Sequence, residues 1–224
     1  MRKVSITYWS DFSCPFCYIG MKRLEKALEQ EGLEAEITMR AFRLDPSAGS
    51  KAESDTVTRF AKKYGLSMDE AAVQVDSISD LGREEGLDFR YASTLFTNTM
   101  DAHRLEKHAQ SLGTGERMAE ILYEMYFCRN LELADRDVLL QAAEECGLDI
   151  LEVKRILDSD EYLKDVLDDE NEAHSAGIFA VPYFIINGRV PISGAAHTDS
   201  FRRALTASLA YSDGDACGPE GCRI

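Results

Sequence analysis

No stretch of this 224-residue chain approaches the roughly 18 consecutive apolar residues that a membrane-spanning helix needs, which speaks against a helical membrane protein. Basic side chains are scarce. The 25 Lys and Arg stand against 40 Asp and Glu, a formal charge of −15 that repels phosphate and anionic lipid, so neither nucleic acid nor a membrane surface is an expected partner. An apolar leader core of about 7–15 residues is missing too: Arg2 and Lys3 are followed by Ser5, Thr7, Ser10 and Asp11, and a cytoplasmic location is expected. The histidines show no H-E-x-x-H or other ligand spacing. His108, His174 and His197 therefore read as structural, and no metal is expected. There is no fixed-period repeat. With 45% hydrophobic residues over this length the chain can bury a proper core, which excludes a fold held by disulfides alone.

The charge is unevenly spread. Residues 51–175 carry 29 of the 40 acidic residues but 14 of the 25 basic ones, leaving the flanks neutral. This split suggests one discontinuous domain, 1–50 with 176–211, holding an acidic insertion at 51–175. Val4, Ile6 and Tyr8 alternate with polar residues, as do Ile37, Met39 and Ala41, the period of strands. Ile19, Leu24, Ala27 and Leu28 between them fit a helix stopping near Gly32, so the first fifty residues read as a βαβ unit. Asn187-Gly188 between two short apolar runs is a type I′ hairpin signal, and a last helix spans about 198–211. The acidic middle reads as helices throughout: around 55–64, from the capping box Ser67-Met68-Asp69-Glu70, at 99–111, around Met118 to Met125, and at 137–146, 150–157 and 161–176.

The chemistry enters at Cys14-Pro15-Phe16-Cys17. Two cysteines in this spacing lie one helical turn apart when the first caps a helix, close enough to make and break a disulfide. Pro15 fits the first helical position, and the free N–H groups and positive end of the helix favour a thiolate. Cys14 is thus the expected nucleophile, as the exposed sulfur, and Cys17 the resolving thiol. C-x-x-C is also half of many zinc sites, but Pro-Phe between the cysteines and the strand-to-helix setting differ from a zinc knuckle. Pro182, at the mouth of an apolar strand, is placed where a missing N–H costs no sheet bond. Its bond to Val181 is expected to be cis, with the Val181 backbone lining a groove for an extended substrate.

The order strand, Cys-Pro-Phe-Cys helix, strand, helical insertion, Val-Pro, hairpin, helix resembles the DsbA-type branch of the thioredoxin superfamily, a thioredoxin-like α/β fold with an inserted all-helical domain. Trp9 to Gly20, Asn98 to Leu105 and the paired carboxy-terminal cysteines are similar to its FrnE-like cytosolic members. The resemblance implies Cys14 and Cys17 as the active pair, Pro182 as the cis proline, and an insertion helix starting at Asn98 to Arg104 and facing the catalytic surface. Asn98, His103 and Arg104 are accordingly candidates to support the site, although His103 and Arg104 fit a helix-surface ion pair with Glu106 or Asp101 equally well. Gly194-Ala195-Ala196-His197 departs from the family, where a Gln commonly follows Gly-Ala.

Periplasmic oxidants of this type carry a His where Phe16 stands, and Phe16 cannot stabilise a thiolate by charge. The expected potential lies between the roughly −120 mV of DsbA and the roughly −270 mV of thioredoxin, suited to isomerase or reductase work on cysteine-containing proteins. No bound cofactor is needed, with glutathione a possible redox partner. The alternative is a glutathione-dependent isomerase or transferase of the kappa transferase or hydroxychromene-carboxylate isomerase type, whose members carry Ser at the first motif position. Cys128 and Cys146 each fall in a helix and read as packing residues. Cys217 and Cys222, among glycines and a proline at 212–224, describe a flexible tail. They are expected to close on each other as an auxiliary redox pair that exchanges with Cys14, unless they are incidental.

Overall fold

The computed structural model describes residues 3–214; Cys217, Cys222 and the tail disulfide expected between them lie outside the described residues. Strand β1 (Lys3–Ser10) leads into α1 (Pro15–Glu31), and β2 (Glu34–Ala41) returns parallel to β1, in register from Lys3 opposite Glu34 to Ser10 opposite Ala41. The chain then runs through seven helices: α2 (Thr56–Tyr64), α3 (Met68–Glu84), α4 (Met100–Ser111), α5 (Gly115–Phe127), α6 (Arg136–Cys146), α7 (Ile150–Leu157) and α8 (Leu163–Ser175). It re-enters the sheet as the hairpin β3 (Tyr183–Ile186) and β4 (Val190–Ser193), antiparallel to each other, with β3 antiparallel to β1. Asn187 and Gly188 both take positive φ, 51° and 66°, as a type I′ turn demands. The strand order is β2-β1-β3-β4, so β1 is interior; Val4, Ile6 and Tyr8 are buried on one face, while on the other Lys3 and Ser5 are exposed and Trp9 is buried. Helix α9 (Thr198–Gly214) runs past Tyr211, because neither Ser212 nor Asp213 breaks a helix.

The two faces of β1 feed two buried clusters. Val4, Ile6 and Tyr8 join one with α1, Phe184, Phe201 and the buried faces of α4, α5 and α6. Trp9, on the opposite face, packs with Phe42, Ala173 and Ile178. An aromatic column locks α1 to α5. Tyr18 stacks on Tyr123 with ring centroids 4.9 Å apart, and Phe89 stacks on Phe127 at 4.6 Å. Ser67 and Glu70 form the expected capping box at the start of α3. Among the described residues no helix is long and apolar enough to cross a membrane.

Candidate active site

β1 stops at Ser10 and the chain turns through Asp11, Phe12 and Ser13 before α1 begins. The turn is fixed by the Cys14 N–H, which donates to the Asp11 carbonyl at 3.0 Å, and by the Asp11 carboxylate. That carboxylate accepts from the Ser13 N–H at 3.2 Å and from the Leu44 N–H at 2.6 Å, tying the cysteine turn to the loop after β2. Burial alone would raise the Asp11 carboxyl, but the His103 imidazole and the two N–H groups hold it below the ordinary carboxylate range. His103 Nε2 lies 3.6 Å from Asp11 Oδ1, and its ring packs on Phe12 with centroids 4.7 Å apart.

Cys14 caps α1 with extended backbone (φ −89°, ψ 112°), and Pro15 follows at the first helical position. The Cys17 N–H donates to the Cys14 carbonyl at 3.1 Å, which starts the helix and sets the sulfurs on one side. Both thiols are free. Cys17 is fully buried, and burial pushes its thiol well above the ordinary range; its hydrogen bond with the neighbouring Cys14 sulfur pushes further, with only partial relief from the Ser10 hydroxyl and the Asp11 backbone. The second sulfur is therefore held as a thiol. The Ser10 hydroxyl also shares a hydrogen bond with the Tyr123 hydroxyl, so its orientation is fixed from α5.

Across from Cys14 stands the Val181–Pro182 loop, with its peptide bond cis. The Cys14 Sγ lies 3.7 Å from the Val181 carbonyl oxygen. Gly20 makes this approach possible: a Cβ there would lie 3.3 Å from Pro182 Cγ and 3.4 Å from Phe184 Cζ. Arg23 Nη1 donates to the Ala195 carbonyl at 2.8 Å, holding the Gly194–His197 segment against α1. Phe16 and Phe179 reach solvent at 39% and 75% exposure, an apolar rim on the segments that carry Cys14 and Val181.

The structure brings Cys14, Cys17, Val181 and Pro182 together, sets His103 against the cysteine turn through Asp11 and Phe12, and leaves the other candidates apart. Cys14 is not the exposed sulfur expected of it: only 3% of the residue is accessible, because Val181 closes over it and Phe12 packs in the same buried cluster. Arg104 does not face the cysteines. It donates to the carbonyls of Glu161 (2.7 Å), Ile156 (2.5 Å) and Ser159 and to Asp101 (2.7 Å), clamping the turn between α7 and α8. Asn98 donates to the Ala48 carbonyl at 3.1 Å and accepts from the Met100 N–H at 2.8 Å, so it pins the loop after β2 to the start of α4. Cys128 caps the end of α5 rather than lying within it, and burial raises its thiol to about 11. Cys146 ends α6, where partial burial also raises its thiol. Asp11, Ser10 and Tyr123 escape a reading of the sequence, since their partners lie far along the chain. Asp11 stands three residues before Cys14, the one local signal that could have marked it. Among the described residues no group of three or more His, Cys, Asp and Glu is placed to hold a metal ion.

A family model described as a DSBA-like thioredoxin domain matches residues 5–206. The crystal structure of a probable DsbA oxidoreductase from Streptomyces coelicolor superposes with a TM-score of 0.86 at 31% identity, covering 99% of both chains. The uncharacterized protein YwbO of Bacillus subtilis is 29% identical over 206 residues, 91% of this chain and 96% of that one. A 2-hydroxychromene-2-carboxylate isomerase shares the fold at TM-score 0.66 and 15% identity, over 96% of this chain and all of that one.

Proposed function

The chain belongs to the DSBA-like thioredoxin domain family, and from that membership and its buried dithiol we propose that it is a thiol–disulfide oxidoreductase exchanging protein disulfides through Cys14 and Cys17. The observation that carries this reading is the placement of the Cys14 sulfur at the amino end of α1, against the Val181 carbonyl, with the Cys17 thiol one turn inside. A Cys14 thiolate attacks one sulfur of a substrate disulfide. The bond from Sγ to that sulfur forms, the substrate disulfide breaks, and the leaving sulfur departs as a thiolate that takes up a proton. The Cys17 thiol then loses its proton and attacks Cys14, closing the Cys14–Cys17 disulfide and releasing the reduced substrate. Val181 and Pro182 supply one wall of the groove, where the Val181 backbone pairs with an extended substrate segment. Phe16 and Phe179 offer apolar contact on either side.

The isomerase that shares this fold does so at 15% identity, a likeness of fold alone. A cysteine at position 14 with a second one turn on favours exchange instead. Phe16 between them brings no charge to a thiolate, which suits reductase or isomerase work in a cytoplasm. Insulin reduction driven by dithiothreitol tests the activity, and equilibration of Cys14–Cys17 with glutathione tests the direction. A potential between those of DsbA and thioredoxin is expected; absence of insulin reduction by the wild type would refute the reading.

A further inference from the structure

Cys17 has to lose its proton before it can attack Cys14, yet it is fully buried, and that burial holds the proton on. Besides burial, the groups that act most strongly on this thiol are the Cys14 sulfur, the Ser10 hydroxyl and the Asp11 backbone N–H, none of them a carboxylate. Once Cys14 is bonded to a substrate sulfur it takes up no proton, and an N–H stabilises a thiolate without accepting its proton. The Ser10 hydroxyl is the acceptor that remains. With one donor and two acceptor positions, a hydroxyl that takes one proton must pass another on.

Ser10 has a partner to receive it. Its hydroxyl, at the buried end of β1, shares a hydrogen bond with the Tyr123 hydroxyl of α5. Both ends of that bond are held. The Ser10 carbonyl accepts from the Phe42 N–H at 3.0 Å, and the Tyr123 ring stacks on Tyr18 with centroids 4.9 Å apart and packs on Phe12 at 5.2 Å. Phe12 and Tyr18 bracket the cysteine pair in sequence, so these contacts set the tyrosine against the motif itself. Burial and the nearby Cys17 sulfur hold the Tyr123 hydroxyl well above its ordinary range, so it stays neutral and can both accept and donate. Tyr123 also lines a cavity of about 30 Å³ between α1 and α5, room for one water. Tyr8 lines it too, and burial keeps that hydroxyl neutral as well. Of the carboxylates on its walls, Glu25 and Glu120 are engaged by Lys22 at 2.9 and 2.8 Å. Glu116 is the third, and partial burial raises its carboxyl by more than the Ile37 N–H lowers it, which makes it a readier proton acceptor than an ordinary carboxylate.

We propose that the Ser10 and Tyr123 hydroxyls form a proton relay, carrying the Cys17 proton out to the cavity between α1 and α5 as the mixed disulfide resolves. The inference rests on the exchange activity proposed above. As the Cys17 proton moves to Ser10 Oγ, the serine's own proton moves to Tyr123 Oη, and the tyrosine's moves to water in the cavity and on to Glu116. The Cys17 sulfur attacks Cys14 Sγ. The Cys14–Cys17 bond forms, the bond from Cys14 to the substrate breaks, and its electron pair leaves on the substrate sulfur, which takes up a proton from solvent. Attack by Cys14 on the substrate draws on neither hydroxyl, so the relay serves the second step alone.

The test follows a single turnover of the full reduced chain with a peptide disulfide, quenched in acid and alkylated, so that mass spectrometry separates the mixed disulfide on Cys14 from the closed pair. Its formation gives the rate constant of the first step and its decay that of the second. Tyr123→Phe keeps the ring and its stacking, and should slow the second step about 100-fold at neutral pH while leaving the first unchanged. With the relay cut, the proton leaves only to hydroxide, so the second step of this variant should rise about tenfold per pH unit, more steeply than in the wild type. Ser10→Ala should slow the same step, and Ser10→Thr, which restores a hydroxyl, should recover most of it. An unchanged second step in Tyr123→Phe overturns the relay. So does an equal slowing of both steps, which would make the hydroxyl pair a structural clamp on the cysteine turn. If the exchange reading itself is wrong, the wild type forms no mixed disulfide at all, a failure distinct from either of these.

Discussion

The Asp11 carboxylate is buried between two segments that share no local sequence signal, with the N–H groups of Ser13 and Leu44 on its oxygens. Asp11→Asn keeps the shape but replaces a charged acceptor by a neutral one that also carries donors. A loss of about 2 kcal/mol in urea unfolding is expected, with slower exchange as the cysteine turn loosens. Glu106 presents the opposite case. Buried on α4 with Oε2 unpartnered, its carboxyl is raised to about 8 by burial first, against the pull of Lys107. The folded chain thus keeps this proton where the unfolded chain has lost it. The stability so conferred is full below about 4.5 and is lost as pH rises through about 8. Glu106→Gln should flatten the pH dependence of stability across that window, by up to a few kcal/mol at its upper end; an unchanged slope would contradict the assignment. Cys14, Cys17 and Pro182 were legible as residues because each stands in a motif whose local backbone follows from the side chain. Asp11 and Glu106 were not, because their surroundings are assembled from segments distant in sequence.

The elements follow from periodicity and caps. The parallel β1–β2 pair, the Asn187-Gly188 hairpin and the Ser67 capping box were all legible, each being specified within a few residues. The faces of the helices were less so. Asn98 read as a group at the catalytic surface and Arg104 as either that or an ion-pair partner of Asp101; the Asp101 pair forms, and the packing of α4 against α7, α8 and the loop after β2 turns both side chains into clamps. Gly82 shows what such packing demands. A Cβ there would lie 2.7 Å from Phe89 Cβ and 2.8 Å from Phe89 Cδ2, and Phe89 cannot retreat because it stacks on Phe127. Gly82→Ala would gain up to about 1 kcal/mol in helix propensity. Overpacking costs about 1–3 kcal/mol and should win, lowering the urea midpoint.

At the scale of the molecule, one buried cluster runs from β1 and α1 through the faces of α4, α5 and α6. Urea unfolding followed by tyrosine fluorescence and by far-ultraviolet dichroism should therefore give coincident transitions. Separate transitions would mean that the helices between β2 and β3 unfold on their own. The same architecture gives the two sulfurs their different roles. Cys14 lies at the amino end of α1 beside Val181, while Cys17 is sealed beneath it and held as a thiol. Trapping the covalent intermediate tests this directly: Cys17→Ser and Cys14→Ser variants are mixed with a disulfide-containing substrate, and the adducts are located by peptide mass. A dithiothreitol-sensitive adduct is expected on Cys14 in the Cys17→Ser variant and none in the Cys14→Ser variant. Equal adducts in both, or an adduct on Cys17, would contradict it.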